Sequence, residues 1–86
     1  MISSGHTSVG TAAVAVDGVS VNPSRLTIHN QDNSDTIYIG GAEVTTSTGL
    51  GLVKLETIQL ELQPLEQVYV VSSKSGHTIS WLRQTI

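Results

Sequence analysis

The chain contains no cysteine and no phenylalanine, and only 13% of its 86 residues are charged. Without cysteine it can form neither a disulfide nor a thiolate-bound zinc site. A domain of this size buries only roughly 60% of the surface that its unfolded chain exposes, so its own core provides modest stability. Disulfides, metals and association are the usual remedies for small domains, and association is the one that this composition favours.

Basic residues are also scarce, with four Lys and Arg against seven Asp and Glu and a net charge of -3. Nucleic-acid binding relies on several Lys or Arg contacts with phosphates, so we expect no nucleic-acid partner. No segment approaches the ~20 apolar residues of a membrane span, and the first residues lack the basic and apolar regions of a signal peptide. The sequence therefore predicts neither a membrane partner nor export by a signal peptide.

Alternating apolar and polar residues are present in two neighbouring segments, residues 25–30 and 36–41. A period of two is typical of a half-buried β-strand. The loop between them, residues 31–35, is rich in Asn and Asp, which favour turns. We therefore predict an antiparallel hairpin. Its core-facing residues are Leu26, Ile28, Ile37 and Ile39, and its opposite face is shared by Thr27, His29 and Tyr38.

Other segments repeat this pattern. Residues 57–62 alternate strictly and predict an amphipathic strand that the pair Gln63-Pro64 ends. The pair Asp17-Gly18 predicts a tight turn in a short hairpin, and Ser75-Gly76 predicts a closing hairpin between residues 67–71 and 77–83. Trp81 alternates with Ile79 and is predicted to be a core or interface anchor.

Residues 55–65 could also form a weak helix, but the strict alternation and the pair Gln63-Pro64 favour a strand. Six to eight short strands with turn residues between them, and no long helical pattern, are typical of an all-β protein. The predicted fold is a small single-domain antiparallel β-sandwich or barrel with an extended N-terminal arm. Residues 1–10, rich in Ser, Gly and Thr, form the predicted flexible arm, and residues 11–86 form the predicted sandwich domain.

No grouping of residues points to chemistry. His6, His29 and His77 lie far apart and without metal-ligand spacing, and residues 31–35 lack the spacing of a calcium loop. There is no Gly-x-Ser-x-Gly elbow, and the glycine pairs open no phosphate-binding helix. We therefore predict no catalytic residue, no metal site, no cofactor and no enzyme activity.

Several segments together resemble a known family. They are Arg25 to Asn30 with its Ile-His-Asn ending, Thr36-Ile37-Tyr38-Ile39-Gly40-Gly41, Val44-Thr45, the strand with Leu60 and Leu62, and the closing stretch from Val68 to Trp81. This pattern, over about residues 24–83, resembles the small β-sandwich proteins encoded among the head genes of tailed bacteriophages. Such proteins look like capsid decoration or minor capsid proteins, which bind the outside of an icosahedral shell and often sit there as trimers.

The resemblance implies a structural virion protein that stabilises the shell from its outer capsid surface after assembly in the host cytoplasm. Its partners would be the major capsid protein and copies of itself, with a homotrimer favoured. As a hypothesis, the arm adds to a neighbour's sheet edge or lies on the capsid. The candidate interaction residues are His6, Thr7, Val9, Thr27, His29, Tyr38 and Trp81.

Two other functions remain open on the sequence. One is a receptor-binding or carbohydrate-binding module on a virion fibre, with contacts from the loops at residues 31–35 and 42–49. The other is a head-to-tail joining or tail-tube component, which should form rings rather than trimers.

Overall fold

The structure is a computed structural model that describes residues 2–17, 21–31 and 35–85. Eight strands form in this part of the chain, and none of it forms a helix long and apolar enough to cross a membrane. The strands are β1 (Ile2–Val9), β2 (Val14–Ala15), β3 (Ser24–Asn30), β4 (Ile37–Gly40), β5 (Leu50–Leu52), β6 (Thr57–Leu62), β7 (Tyr69–Ser72) and β8 (His77–Thr85). The predicted all-β fold class is confirmed, while the turn predicted at Asp17-Gly18 extends outside the described residues.

The strands form two four-stranded antiparallel sheets packed face to face as a β-sandwich. The first sheet has the order β1-β8-β3-β6 and the second has the order β2-β7-β4-β5. Strand β1 lies over the β2 end of the second sheet, where the Thr7 hydroxyl donates to the Val16 carbonyl at 2.7 Å. At the opposite side Leu60 and Leu62 of β6 line the same groove as Leu50 of β5. The sandwich therefore has a β1/β2 side and a β5/β6 side.

The core lies between the two sheets. The four residues predicted to face it from residues 25–41 are all buried: Leu26, Ile28, Ile37 and Ile39. Strand β6 also confirms its prediction, because it ends at Leu62, immediately before Gln63-Pro64. A period of two thus located the buried faces correctly.

The predicted hairpin of residues 25–41 is wrong. Strand β3 pairs with β6 and β8, whereas β4 pairs with β5 and β7 in the other sheet. The chain crosses from one sheet to the other between them, so the two strands face each other across the core. Alternation shows which side of a strand is buried, and it is the same for a hairpin and for two strands on opposite sides of a core.

The predicted closing hairpin is wrong for the same reason, because β7 belongs to the second sheet and β8 to the first. The crossings also separate residues that were expected to share a face. Thr27 and His29 lie on the outer face of the first sheet, and Tyr38 lies on the outer face of the second.

Residues 2–9 are extended, as predicted for the N-terminal arm, but they are an integral strand of the first sheet. Strand β1 pairs with β8 along its whole length, from Ile2 opposite Gln84 to Val9 opposite His77. Val9 is buried among the core residues of the sandwich. The sequence did not predict this strand because most residues of β1 are small and polar. Val9 is the one apolar residue that β1 places in the core.

Candidate functional site

The three histidines lie apart from one another in the structure. Among the residues that the structure describes, no group of three or more His, Cys, Asp or Glu side chains is placed to hold a metal ion. His6 is exposed on β1, and Nδ1 of His29 lies 2.8 Å from the Thr57 hydroxyl. His77 is buried at one end of the sandwich, with Nε2 3.4 Å from Oδ2 of Asp35. The three histidines therefore have three separate environments.

The outer face of the first sheet is broad and poor in charge. Strand pairing places on it Ile2, Ser4, His6 and Ser8 from β1, Thr78, Ser80, Leu82 and Gln84 from β8, Arg25, Thr27 and His29 from β3, and Thr57, Gln59 and Glu61 from β6. Its Lys, Arg, Asp and Glu side chains are limited to Arg25 and Glu61, which lie 3.4 Å apart at one corner. Interface cores are similarly depleted in charge.

A shallow depression of about 220 Å³ lies on this face and is lined by Thr27, His29, Ser80, Trp81 and Leu82. Leu82 is 43% exposed and is the apolar side chain nearest the middle of the face. Hydroxyl and imidazole groups surround it, so the depression offers hydrogen bonds around a small apolar centre. This arrangement is better suited to binding the surface of another protein than to binding a charged ligand.

The outer face of the second sheet is partly covered by the loop between β4 and β5. Val44 is buried there and packs onto two glycines: a Cβ on Gly40 would lie 2.9 Å from its Cγ2, and a Cβ on Gly49 would lie 2.8 Å away. Tyr38 lies beside this loop and is half-buried. The first sheet therefore has the more open face.

Three of the predicted interaction residues share that open face: His6, Thr27 and His29. Tyr38 lies on the opposite side of the sandwich. The other three point towards the core, because they alternate with the outward residues: Thr7, Val9 and Trp81. Val9 belongs to the core, whereas Trp81 packs against the core, is partly exposed and also lines the depression on the outer face.

Both sheets end in open edges, and β1 is the longest of them. It has eight residues, and it carries no Lys, Arg, Asp, Glu or Pro. Lysines, prolines and bulges are the devices that normally prevent an edge strand from pairing with another chain. Alternate residues of β1 direct their N–H and C=O groups away from β8, so this edge can accept another strand.

The β5/β6 side opens into the core. A groove of about 400 Å³ runs between the sheets there, lined by apolar residues that include Ile39, Leu50, Leu60 and Leu62. Leu50 is 57% exposed at its rim, although it pairs with the fully inward Ile39. This side thus presents apolar surface next to the free edge of β6.

Two similar turns flank β6, at residues 53–56 and 63–66. In each, the N–H of the fourth residue, Glu56 or Glu66, donates to the carbonyl of the first at 3.1 Å. The glutamate carboxylate in turn accepts the N–H of the first residue, at 3.2 Å in one turn and 2.6 Å in the other. Each turn is therefore closed by the backbone and a glutamate.

The third residue of each turn is a leucine in the left-handed region, Leu55 at φ 59° and Leu65 at φ 68°. This is the position of a type II turn that favours glycine, and a residue with a Cβ loses roughly 1 kcal/mol there. Both leucines point into solvent, 53% and 65% exposed. Sequence reasoning missed them, although Pro64 at the second turn position was a usable signal.

Sequence reasoning also missed the buried polar residues that join the sheets. Asn30 is fully buried, and its amide donates to the carbonyls of Asp35, Leu52 and Val53 at 3.0–3.2 Å. Arg83 is 5% exposed, and its Nε forms an ion pair with Oδ2 of Asp17 at 2.8 Å without the alignment of a hydrogen bond. In the sequence Asn30 and Asp17 resembled turn residues. No sequence pattern indicated that Asn30 would bind backbone carbonyls or that Asp17 would pair with Arg83.

No family model matches the chain, and no curated protein is similar to it in sequence. Among solved structures, one chain from the endospore appendages of Bacillus, described as a novel family of disulfide-linked pili, has a similar structure. The TM-score is 0.65 at 11% sequence identity, over 100% of this chain and 86% of that one. The two chains share a fold, and the resemblance to phage head proteins stays a prediction.

Proposed function

We propose that this protein is a structural, non-enzymatic subunit that assembles with copies of itself and decorates the outer surface of a tailed-bacteriophage head. The observation that carries self-assembly is the free edge of β1, which has eight residues and none of the usual protection against strand pairing. The resemblance of residues 24–83 to phage head proteins supports the finer role on a capsid.

Strand addition is the assembly mechanism that fits these edges. The β1 edge of one subunit pairs with the β6 edge of the next. Strand β1 lies over β2, and β6 lies beside β5. The same contact therefore also brings the β2 edge of one subunit's second sheet towards the β5 edge of the second sheet in the next subunit. Such a head-to-tail contact forms a ring if its rotation closes, and a trimer is the ring that suits a local three-fold position on a shell.

The outer face of the first sheet is the proposed contact with the major capsid protein. Its charge is confined to the Arg25–Glu61 corner, and the rest offers Ser, Thr, Gln and His side chains around Leu82. A surface of this kind can be buried with little desolvation of charge. In a ring joined through strand edges, this face remains free for the shell.

Self-assembly is tested by a lysine on the edge strand. Ser8 and Thr78 are opposite each other on β1 and β8, and both are exposed on the same face. Ser8→Lys should convert the oligomer into a monomer by light scattering after gel filtration, since lysine blocks edge pairing. Thr78→Lys, on an interior strand, should leave the oligomer intact. A wild-type monomer, or an oligomer that Ser8→Lys leaves unchanged, would refute the proposal.

The capsid role has a separate test. Purified protein is added to expanded heads that lack it, and bound protein is counted after sedimentation. Decoration predicts saturation at a fixed number of copies per head, and Leu82→Asp should lower the occupancy because it places a carboxylate in the contact. Failure to bind heads would reject decoration while leaving self-assembly standing.

A filament subunit is the second candidate, favoured by the fold shared with the pilus-forming appendage protein. The same edge contact makes an open helical fibre when its rotation does not close. This chain has no cysteine, so its fibre would be held without disulfides, unlike the disulfide-linked pili. Negative-stain electron microscopy of the assembled protein distinguishes rings from fibres.

A further inference from the structure

We propose that Leu55 and Leu65 are contact residues for a second copy of this chain, holding the two ends of an incoming β1 strand against the β6 edge. This inference rests on the proposed self-assembly and names the side chains that make it specific. It is independent of whether the assembly belongs to a capsid or to a fibre.

The fold of the single subunit gives these leucines no role. Each turn is closed by backbone hydrogen bonds and a glutamate carboxylate, and the leucine side chain takes no part in either bond. The left-handed backbone at both positions favours Gly or Asn over Leu. Both side chains are more than half exposed, so burial in the subunit does not compensate for the strain.

Their placement matches a strand that docks on β6. The six residues of β6 span about 20 Å, and one leucine turn precedes the strand while the other follows it. Strand β1, with eight residues, is long enough to reach from one turn to the other. Its Ser and Gly residues leave room at the edge for branched side chains. Glu61 of β6 is already paired with Arg25, so no unpaired carboxylate of β6 opposes the contact.

Apolar exposure is concentrated on the two sides that would join. The exposed large apolar residues of the β5/β6 side are Leu50, Val53, Leu55 and Leu65, and those of the β1/β2 side are Ile2 and Val14. In the described part of the chain only Val21 and Leu82 are exposed to this degree elsewhere. A second copy is the occupant that covers both sets at once, because its β1/β2 side meets the first copy's β5/β6 side.

The test is the double variant Leu55→Asn, Leu65→Asn, with Leu82→Asn as the matched control on the outer face. Asparagine tolerates the left-handed backbone, so the turns should form with less strain. Sedimentation equilibrium should show the dissociation constant of the double variant raised by about tenfold or more, and that of the control unchanged. The melting temperature, measured at a concentration where each protein is monomeric, should stay equal or rise for the double variant.

The outcomes separate the two proposals. If the wild type assembles and the double variant does so with the same dissociation constant, the leucines are not contacts, and self-assembly itself stands. If the wild type remains monomeric at its highest soluble concentration, both proposals fail. A fall in the monomer's melting temperature alongside the lost association would assign the leucines to the fold of the subunit and overturn the inference.

Discussion

The indole ring of Trp81 lies directly against Gly5, its partner across the β1–β8 pair. A Cβ on Gly5 would lie 2.9 Å from Cζ2 of the ring and 3.2 Å from Cε2. Glycine in a strand interior normally weakens the strand, and a close approach of this kind is the usual reason for its presence. The close contact between Gly5 and Trp81 therefore helps to position β1, the edge strand that we propose for assembly, beside β8.

Substituting that glycine should disturb the contact with Trp81 and lower the stability of the protein. Gly5→Ala should lower the free energy of unfolding by about 1–2 kcal/mol, because the methyl group forces the ring to shift within a packed site. Urea denaturation followed by tryptophan fluorescence measures it. Gly10→Ala is the matched control, since a Cβ there has no atom within 4 Å, and it should change the stability by under about 0.5 kcal/mol. Equal effects at the two glycines would contradict the ring contact.

The ion pair of Asp17 and Arg83 should respond asymmetrically to mutation. Arg83 is almost fully buried, while the Asp17 side chain keeps 21% of its surface exposed. Asp17→Asn leaves a buried guanidinium without its counter-charge and should cost roughly 3 kcal/mol. Arg83→Met removes the buried charge and should cost less, because water still reaches Asp17.

Urea denaturation of both single variants and the double variant measures this asymmetry, and the double variant should be more stable than Asp17→Asn alone. A larger loss for Arg83→Met than for Asp17→Asn would show that the arginine contributes through packing of its stem rather than through charge.

Asn30→Asp should make the stability depend on pH. The Nδ2 group of Asn30 donates to three carbonyl oxygens, so Asp at this position would place a carboxylate oxygen against those acceptors in a fully buried site. We expect a loss of roughly 3 kcal/mol or more at neutral pH. Burial and the carbonyl dipoles would raise the pKa of the introduced carboxyl above its unfolded value of about 3.9.

The folded variant then binds the proton more tightly than the unfolded chain. Its stability relative to the wild type is therefore greatest below a pH of about 3.9, and it falls as the pH rises towards and through the raised pKa of the folded state. Urea denaturation of both proteins between acid and neutral pH measures the difference. A difference that does not change with pH would contradict the buried carbonyl cluster.

Val44→Ala should release the loop that covers the second sheet. The valine is 8% exposed and fills the space above Gly40 and Gly49. Losing two buried methyl groups should cost about 1–2 kcal/mol, and the loop at residues 41–49 should be cut faster in limited proteolysis. Glu43→Ala, an exposed neighbour in the same loop, is the control and should change neither quantity. Unchanged cleavage of Val44→Ala would show that backbone hydrogen bonds hold the loop.

Local pattern determined a large part of this protein. The alternation around Leu26, Ile28, Ile37 and Ile39 predicted strands and their buried faces, because the period of two is a property of the strand itself. Gln63-Pro64 predicted the end of β6, because proline cannot donate to a sheet ladder. The low charge and the absence of cysteine pointed to association as a source of stability, and these are properties of composition alone.

Only the tertiary structure decided which strands are neighbours. Hydrogen bonds between strands are non-local, and the same alternation serves a hairpin and two strands facing each other across a core. The crossing between β3 and β4 therefore separated His29 from Tyr38. The fold also decided that the polar N-terminal segment forms strand β1 and that Asp17 lies beside Arg83. It likewise placed Leu55 and Leu65 in exposed positions beside the open edge of β6. Each of these depends on distance in space, which the order of residues does not contain.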